Sequence, residues 1–128
     1  MLEKIKVLLN GANGRMGQEV VLATKENENI EIIAGLDRVG EVKNGFPIFT
    51  SCEEINIKPD LILVDGQEYE ASKKVIEKNP NAITIIDAGR VKEDTIKLAK
   101  IVDYVVCSKD FAEEYTKIKI DLKDKEVL

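Results

Sequence analysis

Three glycines, Gly11, Gly14 and Gly17, recur at every third position in the stretch LLNGANGRMGQ (residues 8–18). The stretch closes an apolar run and opens a helix-forming one. Glycine tolerates positive φ and has no Cβ, so such a turn lets another group approach the backbone closely. The free N–H groups and the dipole at the start of the next helix favour an anion, a pyrophosphate above all. The third glycine lets that helix pack close to the sheet. The spacing G-x-x-G-x-x-G is the dinucleotide fingerprint G-x-G-x-x-G with its first glycine displaced by one position. That fingerprint places an acid about 20 residues on, where it meets the ribose hydroxyls. Asp37 stands there, and Arg38 follows. Asp37 suits the free 2′-hydroxyl of NAD. Arg38 suits adenine stacking or the 2′-phosphate of NADP, so both cofactors stay open. The plainer alternative is a solvated acid and base in a loop. The candidate cofactor-binding set is Gly11, Ala12, Asn13, Gly14, Arg15, Met16, Gly17, Asp37 and Arg38.

Other chemistry is poorly supplied. The chain has no histidine, which excludes a histidine-based triad and leaves carboxylates alone for any metal site. Cys52 and Cys107 form no CxxC and are expected to be small buried or half-buried thiols. The carboxyl ends of the apolar runs hold Asn10, Asp65, Gln67, Asp87, Arg90, Ser108 and Lys109. Asp65 and Asp87 together suit a cation or acid–base work. The preferred alternative is that each caps the following helix or turn. Tyr69, Tyr104 and Tyr115 read as packing residues. No catalytic or metal-binding residue is assigned.

The elements that must position this set alternate along 128 residues. Buried strands are predicted at 4–10, 30–37, 60–66, 82–89 and 102–108, with a short one within 45–51 limited by Pro47. Helices are predicted at 14–29, 68–80, 92–100 and 109–117. The first carries Met16, Val20 and Ala23 on one face, with Val21 beside them. Ser51 caps a single helical turn at 51–55, and Asn44-Gly45 supplies positive φ to a solvated turn. The tail 117–128 is expected to pair as an edge strand or to fray. Strands apolar at consecutive positions imply cover on both faces, hence a mainly parallel sheet wound on both sides. The predicted fold is a single Rossmann-like three-layer α/β/α domain over residues 1–128. Net charge is −5, which argues against nucleic acid or an anionic membrane as partner. No apolar run reaches the roughly 20 residues of a membrane span, and the first residues lack a signal peptide's apolar stretch. A cytoplasmic monomer or weak homodimer is expected.

Residues 3–62 resemble the N-terminal domain of dihydrodipicolinate reductase, through KVLLNGANGRMGQEVV, IEIIAGLDR and NGFPIFTSCEEINIKPDLI. The resemblance implies NADH or NADPH binding, with Gly11 to Gly17 at the pyrophosphate and Asp37 and Arg38 at the adenosine ribose. The later pattern departs. The family's D-F-[ST] after the fourth strand stands here as VDGQ, and its G-T-T-G turn at the nicotinamide as DAGRV. The family's histidine-rich catalytic segment, with its lysine, lies in a second domain. Residues 59–128 resemble instead the middle of a ribokinase-type sugar kinase, with Ser108 and Phe111 standing in a degenerate N-x-x-E element. The catalytic G-A-G-D motif of those kinases is absent.

These two resemblances predict a chimera, joined near residues 58–63, of a dinucleotide-binding half (1–60) and a sugar-kinase-derived half (61–128). The expected role is an engineered scaffold without catalytic turnover, with weak residual NAD(P)H binding at the glycine turn. The alternatives are an NAD(P)-binding or sensing module, or an incomplete fragment of a dihydrodipicolinate reductase.

Overall fold

Apolar runs become strands, and the mixed stretches between them become helices. The computed structural model describes residues 3–38, 40, 45–65, 69–89, 92–117 and 126–127, the side chains of 115–117 and 126–127 excepted. In chain order the elements are β1 (Ile5–Asn10), α1 (Arg15–Lys25), β2 (Ile30–Leu36), β3 (Ile48–Phe49), a 3₁₀ turn (Cys52–Glu54), β4 (Leu61–Val64), α2 (Tyr69–Lys78), β5 (Ile83–Ala88), α3 (Glu93–Ile101), β6 (Tyr104–Cys107), α4 (Lys109–Lys117) and β7 (Glu126–Val127). All seven strands form one parallel sheet in the order β3-β2-β1-β4-β5-β6-β7. The sheet is thus the expected Rossmann-like α/β arrangement, and the order reverses between β1 and β4. Ligands of such sheets bind above the carboxyl ends of the strands at that reversal.

Parallel strands are joined by right-handed crossovers. Moving from β1 out to β2 therefore puts α1 on one face, and moving from β4 through β6 puts α2 and α3 on the other. The cores follow. Leu9, Ala12, Val21 and Phe46 form a small cluster under α1, with Met16, Val20 and Leu63 against it. The large cluster on the other face joins Leu8 and Leu36 to Ile62, Val75, Ile86, Leu98, Val105 and Phe111. It draws on both ends of the chain. On the α2 side, Asn10 Nδ2 donates to Ser72 Oγ at 2.6 Å, both side chains buried.

Two expectations need correction. Helix α1 stops at Lys25, short of residue 29, and buries Gly17 and Val21, whereas Ala23 is exposed. The strands β4 to β6 are not covered on both faces by the described residues. Ile62, Val64, Thr84, Ile86, Ala88 and Val105 are buried, while their alternating neighbours are half-buried or exposed, Ile83 at 48% and Val106 at 38%. An apolar run signals burial but not which face is covered. The crossover direction decides that, and it sends α2, α3 and α4 to the same side.

The short connection from β3 back to β4 is tied down by side chains. Ser51 Oγ accepts from Glu53 N at 3.3 Å, the expected cap. The Lys78 ammonium, at the end of α2, donates to the carbonyls of Cys52 (2.7 Å) and Ile55 (3.0 Å). A thioether cannot donate, so Lys78→Met is expected to cost about 1 kcal/mol. Urea unfolding monitored by far-UV circular dichroism measures that loss.

Candidate functional site

Strand β1 runs into the glycine turn, and the turn leans on the end of β2. Leu36 O accepts from Gly11 N at 2.7 Å and from Ala12 N at 3.3 Å. Asp37 Oδ2 accepts from Asn13 N at 2.7 Å. Gly14 N donates back to Gly11 O at 3.0 Å and closes the turn. Three successive N–H groups, of Gly11, Ala12 and Asn13, are thus engaged by β2 and the residue after it. The next three, of Arg15, Met16 and Gly17, open α1 and make no intrahelical bond. Gln18 N, donating to Gly14 O at 3.0 Å, is the first inside the helix. An anion above the turn would therefore meet the N–H groups of residues 15–17 rather than the whole stretch.

Each glycine has a specific steric reason. Gly11 has φ of +82°, and a Cβ there would strike the Asp65 carboxylate. Gly17 would drive a Cβ into the carbonyls of Gly11 and Ala12. Gly14 is exposed, and a Cβ there would lie 3.3 Å from Gly11 O. Gly35, within β2, gives room for the buried Ala12 methyl, which would lie 2.6 Å from any Cβ there.

The remaining candidates divide by position. Ala12 is fully buried, so its side chain supports the turn from below. The Met16 side chain packs against the α1 core cluster, and only its backbone belongs to the open helix start. Arg15 and Arg38 are exposed. Asp37 is half-buried at the carboxyl end of β2, and its Oδ1 also accepts from Arg38 N at 2.7 Å. The fold thus brings Asp37 to the glycine turn, 24 residues away in sequence. Sequence reasoning missed Gly35, Gln18 (whose Nε2 donates to Ala12 O at 3.1 Å) and the Leu36 carbonyl. A glycine inside a strand was a usable signal of close approach; a backbone carbonyl carries none.

The strand-end residues behave differently from one another. Asp65 sits against Gly11. Ser108 caps α4, accepting from Phe111 N at 3.1 Å. Gln67, Arg90, Asn44 and the Tyr115 side chain lie outside the described residues. Among the described residues no three acidic or cysteine side chains gather as metal ligands. Cys52 is buried and Cys107 half-buried, and burial pushes the Cys107 thiol up. Tyr69 packs on the large core, with the ammonium groups of Lys73 and Lys97 at 5.9 and 5.2 Å from its ring centre.

Asp87, on the uncovered face of β5, has its carboxyl raised above the usual range by burial. The folded protein holds that proton more tightly than the unfolded chain. Stability contributed by the protonated form is therefore lost as pH rises through the folded value. Asp87→Asn cannot ionise. It is expected to raise stability at neutral pH, by less than about 1 kcal/mol because solvent screens the half-buried group. The gain shrinks as pH falls toward the ordinary aspartate value of about 4. Thermal unfolding of both proteins across pH checks the sign.

The sequence profile of the dihydrodipicolinate reductase N-terminus matches residues 5–92, more than half of the chain. The chain belongs to that family. A 4-hydroxy-tetrahydrodipicolinate reductase of Clostridium perfringens (strain SM101 / Type A) is 34% identical over 94 residues, covering 70% of this chain and 37% of that protein. The reductase of Caldanaerobacter subterraneus subsp. tengcongensis is 28% identical over 93 residues, covering 70% of this chain and 36% of that one. The chain thus spans well under half the length of these relatives. A solved structure, dipicolinate-bound dihydrodipicolinate reductase from Paenisporosarcina sp. TG-14, shares the fold with a TM-score of 0.56. It is 23% identical and aligns with 83% of this chain and 47% of its own.

The family match gives the expected chimera no support. It crosses the junction predicted near residues 58–63 without a break and takes in β4, α2 and β5. None of these relatives is a sugar kinase, so a ribokinase-type portion has no support among them. Phe111, read as a degenerate kinase element, is a core residue at 2% exposure. The expectation of a scaffold outside enzymology is corrected as well, since the curated relatives are named reductases, which are oxidoreductases.

Proposed function

We propose that residues 1–128 form, as one Rossmann-like unit, the NAD(P)H-binding part of a 4-hydroxy-tetrahydrodipicolinate reductase. The observation that carries this reading is the coincidence of the family match over residues 5–92 with a glycine turn hydrogen-bonded to Asp37. When bound, the reduced nicotinamide supplies a hydride. The protein's own residues bind and orient. The N–H groups of Arg15, Met16 and Gly17 receive the pyrophosphate, aided by the α1 dipole. Gly11, Ala12, Asn13 and Gly14 hold the turn's shape. The Asp37 carboxylate accepts from the ribose hydroxyls, and the exposed Arg38 side chain lies against the adenine or a 2′-phosphate. The residues fit the group, because the turn has glycine at residues 11 and 17, where an added Cβ would strike Asp65 or the carbonyls of Gly11 and Ala12. The substrate is a cyclic dicarboxylate of the dipicolinate type. No described helix is long and apolar enough to cross a membrane.

Thermal unfolding with NADH and with NADPH tests this directly. At a ligand concentration of about 100 Kd the folded state gains about 2.7 kcal/mol by mass action, a readily measured rise in Tm. No rise with either cofactor at millimolar concentration rejects the assignment. A larger rise with NADH than NADPH identifies NADH as the preferred cofactor.

A further inference from the structure

Of the three N–H groups that tie the glycine turn to β2, two end on the Leu36 carbonyl and one on a side chain, Asp37. Asp37 is itself pinned. Its own N–H donates to Phe49 O of β3 at 3.0 Å. Both of its carboxylate oxygens are engaged, Oδ2 by Asn13 N and Oδ1 by Arg38 N, each at 2.7 Å. Bonds of that length from an N–H to a carboxylate are charge-assisted and stronger than neutral ones. The carboxylate cannot turn without breaking one of them.

We infer that Asp37 is a positioning residue for the glycine turn, a latch that sets the turn's shape before any ligand arrives. The inference rests on the dinucleotide reading for its functional meaning, though the latch exists in the ligand-free protein. Asn13 is the apex of the turn, one residue before Gly14 and two before the first N–H of α1. Fixing its N–H on β2 fixes the direction in which the N–H groups of residues 15–17 point. Each carboxylate oxygen has two acceptor sites, so each keeps one for a ribose hydroxyl while holding its backbone donor. Binding at the ribose and shape at the pyrophosphate are thereby coupled through one side chain. A residue that only reads the ribose would have no effect on a ligand lacking that sugar.

Two measurements separate the roles, using wild type, Asp37→Asn and Asp37→Ala. In the ligand-free protein, hydrogen exchange at the Asn13 amide is expected to be about tenfold faster in Asp37→Ala, the loss of one charge-assisted bond. The Leu8 and Leu9 amides stay unchanged. Asp37→Asn keeps an acceptor oxygen and restores much of the protection. With inorganic pyrophosphate as probe, followed by amide shifts of Arg15, Met16 and Gly17, Asp37→Ala is expected to bind several-fold more weakly. Removing a negative charge without a latch would leave that affinity unchanged or raise it. Unchanged Asn13 exchange, or pyrophosphate binding as tight as wild type, overturns the inference. Should Asp37→Ala fail to fold, Asp37→Asn still decides: a neutral acceptor in place of the carboxylate is expected to make Asn13 exchange measurably faster than in wild type, and exchange identical to wild type overturns the latch. If wild type binds neither NADH nor pyrophosphate, the dinucleotide reading falls while the exchange result still decides the latch.

Discussion

Gly17→Ala is expected to destabilise the protein by about 3 kcal/mol, at the upper end of the usual cost of overpacking. A Cβ at residue 17 would lie 2.5 Å from Gly11 O and 2.7 Å from the Ala12 carbonyl carbon, and would overlap Ala12 O. These are backbone atoms, held in place by β2 through the N–H groups of Gly11 and Ala12. They cannot rotate away as a flexible side chain could. The helix must lift off the turn, which also displaces the N–H groups of residues 15 and 16. Tm is therefore expected to fall by about 10 °C for a chain of this size, and NADH affinity by at least about tenfold. Gly45→Ala is the control. That residue has φ of +84° but no atom within 4 Å of an added Cβ. Its cost is only the left-handed strain, about 1 kcal/mol, with cofactor affinity unchanged. Differential scanning fluorimetry with and without NADH measures both. Equal losses for the two variants would show that steric contact with the turn is not what requires Gly17.

Phe111→Ala is expected to cost about 3–5 kcal/mol, the range for removing a buried phenylalanine. Phe111 lies on α4 at 2% exposure, in the same buried cluster as Leu8 of β1 and Leu36 of β2. A cavity there weakens one core that spans the chain from its first strand to its last described helix. Urea unfolding is expected to show a single transition, shifted to lower urea with the slope unchanged. Two separated transitions would mean that the halves fold independently. That outcome would contradict the shared core and revive a boundary near residue 60. The Asn10–Ser72 bond crosses the same boundary, so the single transition has polar as well as apolar support.

Much of the local structure was legible from residue order. The strand at β1, the capped turn at Ser51 and the stop of α2 before Pro80 follow from periodicity, side-chain capping and the geometry of proline, all short-range effects. The acid after β2 was legible too, because turn chemistry and strand length together place it at the sheet's carboxyl edge. The origin of residues 61–128 was not. Each βα unit of a parallel sheet repeats one pattern of apolar strand and amphipathic helix. A stretch of such units therefore resembles many families, and only the match through residue 92 separates them.

By itself the sequence determined the parallel α/β class, the glycine turn before α1 and the acid at residue 37. Those depend on the conformational freedom of glycine, on alternating apolar and polar runs and on spacing along one βαβ unit. Tertiary structure alone decided which N–H groups of the turn remain open and which face of β4 to β6 stays uncovered. It also decided that one carboxylate holds the turn in place. Each of those outcomes depends on where a crossover carries the chain and on contacts such as Asn13 with Asp37, between residues that no local pattern links.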